Sequence, residues 1–174
     1  RILEMDLEGN VKTLIEEKND KYVAYSRNLR RNLSENHILW KSDRDGHAHL
    51  YLCDRKKDKL TQITKGEYWV RNVQHAEIDE KGKGYIIFSA NGMNCKNMGV
   101  AASSFDGKIA EEDPYNIHYY RIDMNGKNLV ELTPERANHS ATINIEKNVL
   151  VDTYSTVDQA PVTVLRSLKD GKLI

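Results

Sequence analysis

Short apolar runs alternate with polar turns along most of the chain. "HLYLCD" (49–54), "GYIIFSA" (84–90), "IHYYRIDM" (117–124), "NVLVDTYS" (148–155) and "PVTVLRSL" (161–168) are rich in β-branched and aromatic residues, and Asp, Asn and Gly punctuate them. That combination predicts strands. No window keeps a 3.6-residue apolar period over three turns, so few helices are expected. "KIAEEDPY" (108–115) has room for one helical turn before Pro114 stops it.

The hairpin pattern recurs. "MDLEGNVKTLI" (5–15), "CDRKKDKLTQIT" (53–64), "IDMNGKNLVELT" (122–133) and "LRSLKDGKLI" (165–174) can be laid over one another. In the first three, Asp6, Asp54 and Asp123 close a strand, and a polar turn follows with Lys12, Lys59 or Lys127 at or just after it. The interval from Asp54 to Asp123 is longer than that from Asp6 to Asp54. It contains the segment 94–113, which is rich in Gly, Ser and Ala, and without that segment the two intervals nearly match. An insertion that leaves the period intact belongs in a surface loop. Each period also holds a second hairpin upstream, as in 76–91 and 140–155.

Four short strands per period of about 40–50 residues is the pattern of a β-propeller blade. The expected fold is all-β, a single partial propeller of about three and a half four-stranded antiparallel blades. Their parts fall at about 2–17, 22–64, 68–133 (with the 94–113 insertion) and 138–174. A two-sheet sandwich would space its strands by about 8–12 residues without the longer period. An open ring of this kind leaves strand edges unpaired, so homo-oligomerisation is expected.

Composition narrows the function. The 174 residues carry 26 basic and 26 acidic side chains, a net charge of zero that leaves no electrostatic footprint for nucleic acid or an anionic membrane. No apolar stretch approaches the roughly 18–20 residues of a membrane span. Arg1-Ile2-Leu3-Glu4-Met5 reads as the middle of a strand rather than a signal peptide, and the chain as a piece of a longer protein. Cys53 and Cys95 are read as free thiols, since two cysteines make no disulfide framework and their spacing fits no zinc motif.

No complete reaction machinery is visible. The G-x-S-x-G elbow of an α/β-hydrolase is missing, and Ser155 in "DTYST" reads as a strand-end hydroxyl. His47 and His49 are two apart, hence on one strand face, but no third ligand suggests itself; His47 is expected in a turn and His49 at an exposed strand position. No Walker spacing or calcium loop occurs, so no catalytic, metal or cofactor site is assigned. Asn32-Leu33-Ser34 and Asn138-His139-Ser140 are formal glycosylation sequons.

Several segments resemble a known family in the right order. "ILWKSDRDGHAHLYLCD" (38–54) is similar to the F/I-x-W-x-S-E/D-R-D-G-x-x-H-L-Y-x-x-D segment in the N-terminal domain of dipeptidyl peptidase IV-like proteins. "LTQITKGEYWV" (60–70) resembles the segment that follows it, and residues 113–143 and 151–174 are similar to the last blades of bacterial members. Together the resemblance covers about 38–93 and 113–174. It implies the C-terminal part of an eight-bladed propeller in the prolyl oligopeptidase family of serine peptidases. There a C-terminal α/β-hydrolase domain carries Ser, Asp and His, and the propeller admits and helps hold peptides. It also implies a periplasmic or other extracytoplasmic location.

Two departures matter. The family's Glu pair for the substrate ammonium lies upstream of the matched region, and Glu16-Glu17 is a strand-end pair in the wrong place to be its counterpart. Residues 22–36 depart from the family's text, so Arg27, Arg30 and Arg31 are either substrate-facing or part of a solvated basic loop. The implied function is a propeller piece of a dipeptidyl peptidase IV-like exopeptidase, inactive by itself, with peptide substrates and a hydrolase domain as partners. The alternative is a non-catalytic propeller that binds other proteins.

Overall fold

The computed structural model of the chain describes residues 1–23, 30–94 and 112–174. Among the described residues there are thirteen strands in four antiparallel sheets and no helix. The chain divides into two compact units, Arg1–Lys65 and Gly66–Ile174.

In the first unit, β1 (Ile2–Met5) and β2 (Val11–Ile15) form a two-stranded hairpin. The strands β3 (Arg30–Asn32), β4 (His37–Ser42), β5 (His49–Asp54) and β6 (Lys59–Gln62) follow as a meander in chain order. In the second unit β7 (Trp69–Ile78), β8 (Gly84–Asn91), β9 (Ile117–Asp123) and β10 (Val130–Glu131) repeat that arrangement. The last sheet holds β11 (Asn138–Asn144), β12 (Val149–Ser155) and β13 (Val162–Ser167). It has three strands, and Leu173 adds one isolated bridge to Arg166. Residues 108–111 of the expected helical turn, and Cys95, lie outside the described residues.

The recurring Asp has a local cause. Asp6 Oδ1 accepts the N–H groups of Glu8 (2.9 Å) and Asn10 (2.8 Å). Asp79 Oδ1 accepts those of Lys81 and Lys83, both at 2.8 Å. Asp123 closes its turn through its carbonyl, which accepts the Gly126 N–H at 2.9 Å. At Asp6 and Asp79 a short carboxylate thus satisfies turn donors that the sheet cannot, whereas the Asp123 carboxylate accepts from Asn128 Nδ2 at 2.7 Å. The chain then needs a left-handed residue, which Gly9, Gly82 and Gly126 supply at φ of 87°, 78° and 77°.

Strand β7 starts earlier than the pattern at 76–91 suggests. Register shifts between Val70 and Asn72 and between Val73 and His75 break its alternation, which hides its first half from a period-two reading. Its far end is closed by Gly84, where a Cβ would lie 2.0 Å from the Glu77 carbonyl oxygen.

Burial follows the register. In the first unit Ile15, Ile38 and Cys53 form a cluster, with Trp40 and Leu60 packed against it. In the second, Ile87, Tyr119 and Leu132 from one sheet meet Leu150 and Leu168 from the other. Each such aliphatic side chain contributes roughly 1.5–3 kcal/mol by leaving water, so this shared core joins the two sheets of the second unit.

Candidate functional site

The first unit gathers polar groups around Glu17. Burial of Ile15 pins the end of β2 and so delivers Glu17 two residues later. Trp40 and Ser42 lie on one face of β4 because side chains alternate along a strand. Trp40 Nε1 donates to Glu17 Oε1 at 2.6 Å, and Ser42 Oγ to Oε2 at 2.8 Å. The Arg44 guanidinium joins them on Oε1 and also reaches the Glu16 carbonyl at 3.3 Å. Its Cζ lies over the Tyr51 ring, 4.9 Å from the ring centre. The W-x-S-x-R spacing of the sequence is therefore three donors to one carboxylate. Beside them is a cavity of about 170 Å³ lined by Glu17, Tyr22, Asp43 and Arg44 among others.

Of the three arginines named from sequence, Arg27 lies outside the described residues. Arg30 is exposed and pairs across β3–β4 with Trp40, so it shares the sheet face of the Glu17 centre. Arg31 is half-buried and pairs with Leu39, which puts it on the opposite face. The structure thus separates Arg30 from Arg31.

His47 stands just before β5 and is half-buried. His49 is 1% exposed, a correction to its expected solvent-facing position. Its Nδ1 lies 3.1 Å from Thr64 Oγ1, and the same hydroxyl accepts the Leu50 N–H at 2.8 Å. The strand start is buried because Thr64, just past β6, folds back over it. Of the two sequon asparagines, Asn32 is exposed at the end of β3, while Asn138 Oδ1 accepts the Ile117 N–H at 3.1 Å.

The second unit repeats this position with other chemistry. The offset that carries Asp54 onto Asp123 also carries His49 onto His118 and Thr64 onto Thr133. Thr133 Oγ1 again accepts the next N–H, from Tyr119, at 2.9 Å. His118 Nδ1, however, meets the Thr133 carbonyl at 2.7 Å, and its Nε2 meets the Glu112 carboxylate. Glu131 lies 3.7 Å from Nδ1 and accepts from Asn94 Nδ2 at 2.7 Å. Burial, with Glu131 and Glu112 nearby, raises the Tyr120 hydroxyl far above its ordinary value.

The His118 ring lies 4.9 Å from that of His139 in the next sheet. His139 Nδ1 faces Asp152 Oδ1 at 2.9 Å and its Nε2 faces the Glu135 carbonyl at 2.8 Å. Arg166 Nε donates to Asp152 Oδ2 at 3.0 Å, Nη1 to the Gly171 carbonyl at 3.2 Å, and Nη2 to the Glu135 carboxylate. Burial opposes the charge on His139, but the Asp152 side chain, then the Glu135 carbonyl, outweigh it and raise its pKa. Glu135, His139 and Asp152 offer ligand atoms within 4.8 Å of one another, the donor types of a metal site. Arg166 bridges both carboxylates and so already supplies the positive charge such an ion would bring.

Sequence reasoning misses this network. Its members are scattered from 112 to 166: the pairing of β11, β12 and β13 brings His139, Asp152 and Arg166 together, Glu135 comes from the turn before β11, and His118 with Glu112 from β9 and the segment before it. The available signal was a charged residue on the inward face of each strand: Asp152 two after Leu150, and Arg166 two before Leu168.

Comparison with known proteins follows the same lines. The family model for the dipeptidyl peptidase IV N-terminal region matches residues 1–161. A protein assigned as a dipeptidyl aminopeptidase IV from Bacteroides ovatus is similar in structure, with a TM-score of 0.61 and 21% identity over 89% of this chain. Porphyromonas gingivalis dipeptidyl peptidase 4 is similar with a TM-score of 0.60 and 20% identity over 94% of this chain. The chain spans 22% and 20% of the length of these two proteins. By a match that covers most of its residues, the chain belongs to the dipeptidyl peptidase IV N-terminal region family.

Proposed function

We propose that this chain is one propeller domain piece, about three and a half blades, of a dipeptidyl peptidase IV-like serine exopeptidase. Its blade parts fall at about 2–17, 22–64, 68–133 and 138–174, with the 94–113 insertion as a loop. The propeller gates and positions peptides for a C-terminal α/β-hydrolase domain that carries Ser, Asp and His. The whole enzyme acts outside the cytoplasm and releases Xaa-Pro or Xaa-Ala dipeptides.

The observation that carries this reading is the family match over residues 1–161. The two four-stranded meanders and the likeness to two bacterial structures support the blade assignment. Arg30, exposed on the face of the Glu17 centre, is the substrate-facing arginine best placed among those described.

The test uses the parent protein with its downstream sequence. Purified enzyme should cleave Xaa-Pro p-nitroanilides, and Arg30→Ala should raise KM several-fold with kcat little changed. A parent without peptidase activity that instead recovers a stable protein partner would overturn the reading in favour of an interaction module.

A further inference from the structure

We infer that Glu135, His139, Asp152 and Arg166 form a proton-sensitive joint in the second unit, closed while His139 carries a proton on each ring nitrogen. The argument begins with acceptors. A backbone carbonyl cannot donate, so the 2.8 Å approach of Glu135 O requires a proton on Nε2. Nδ1 lies 2.9 and 3.1 Å from the two oxygens of Asp152, a carboxylate already bound to Arg166. Both nitrogens therefore donate, and the ring is an imidazolium.

Charge gives the same answer. Two carboxylates, one guanidinium and one imidazolium make a neutral quartet. The His139 and Asp152 side chains are both 0% exposed, so no water replaces a hydrogen bond that is lost. The groups facing His139 come from every neighbouring element. Asp152 and Tyr154 come from β12, Glu135 from the turn before β11, Arg166 from β13 and His118 from β9. Behind His118 stand Glu112, Glu131 and Tyr120. Losing the proton on His139 leaves the quartet with net negative charge and sets a lone pair against an oxygen. The ring lies against His118 of the other sheet, centroids 4.9 Å apart and planes tilted by 49°, so the weakening falls where the two sheets of the unit meet.

The sign follows from linkage. A histidine whose folded value is raised adds stability that is complete below its ordinary value of 6.5 and is lost as pH rises through the folded value. In that window the unfolding equilibrium constant should grow by up to about tenfold per pH unit, one proton per molecule.

The test uses the full 174-residue chain. Long-range proton–nitrogen spectra should show both His139 ring nitrogens protonated at pH 7. Denaturant titrations from pH 6 to 9 should show stability falling with pH in the unaltered chain and a flatter profile in His139→Gln. An unprotonated His139 nitrogen at pH 7, or equal pH slopes in the two proteins, would overturn the proposal. If His139→Gln fails to fold, the spectrum of the unaltered chain decides alone.

Discussion

His49 with Thr64 and His118 with Thr133 occupy the same position in successive repeats, yet only the threonine keeps its job. In both units its hydroxyl accepts the N–H that follows the histidine. The contacts described for the histidines differ: His49 Nδ1 meets the Thr64 hydroxyl, whereas His118 meets the Glu112 carboxylate and the Thr133 carbonyl. The added partner, Glu112, comes from the stretch that lengthens the second repeat. Backbone geometry therefore fixes the threonine, and in the second unit the lengthened stretch adds a charged partner to the histidine.

The sharpest way to break this contrast is Asp152→Ala. It leaves Arg166 and His139 buried without their shared counter-charge, and should lower the unfolding free energy by about 3–5 kcal/mol in a urea titration. A loss below about 1 kcal/mol would mean that the buried ionic network of the second unit adds little to its stability. Glu112→Gln keeps shape but removes the charge at His118, and should cost about 1.5–3 kcal/mol. Differential scanning calorimetry at neutral pH would read it as a lowered Tm. The smallest effect belongs to the shared element. Thr64→Val and Thr133→Val should each cost about 1–2 kcal/mol, because each strands one buried N–H. Matching losses would sharpen the equivalence of the two positions, and a severalfold mismatch would break it.

Much of the fold was legible because its signals are local. Asp6, Asp54 and Asp123 mark turns whose chemistry lies within a few neighbours along the chain, and strands such as 49–54 carry their own alternation. Strand β7 was half hidden because its register shifts spoil that alternation. The site was far less legible. Trp40, Ser42 and Arg44 stood out as a motif, but nothing nearby in the chain names Glu17 as their common acceptor. The Glu135–His139–Asp152–Arg166 network needs three-strand pairing before its members meet. His49 looked solvent-facing because the group that closes over it, Thr64, lies beyond the following strand.

The lengthened connection between β8 and β9 also has a kinetic side. It runs from 92 to 116, whereas that between β4 and β5 runs only from 43 to 48. The entropy of closing the longer one is greater by about 1.2 kcal/mol. Pairing β8 with β9 should therefore be slower, by roughly tenfold, than pairing β4 with β5. Asn94 on Glu131 and Glu112 on His118 fasten the two ends of that connection to the sheet. Once closed, they act as a clasp: these bonds oppose reopening far more than they can hasten closure, so the second meander should be slow to form and slow to come apart.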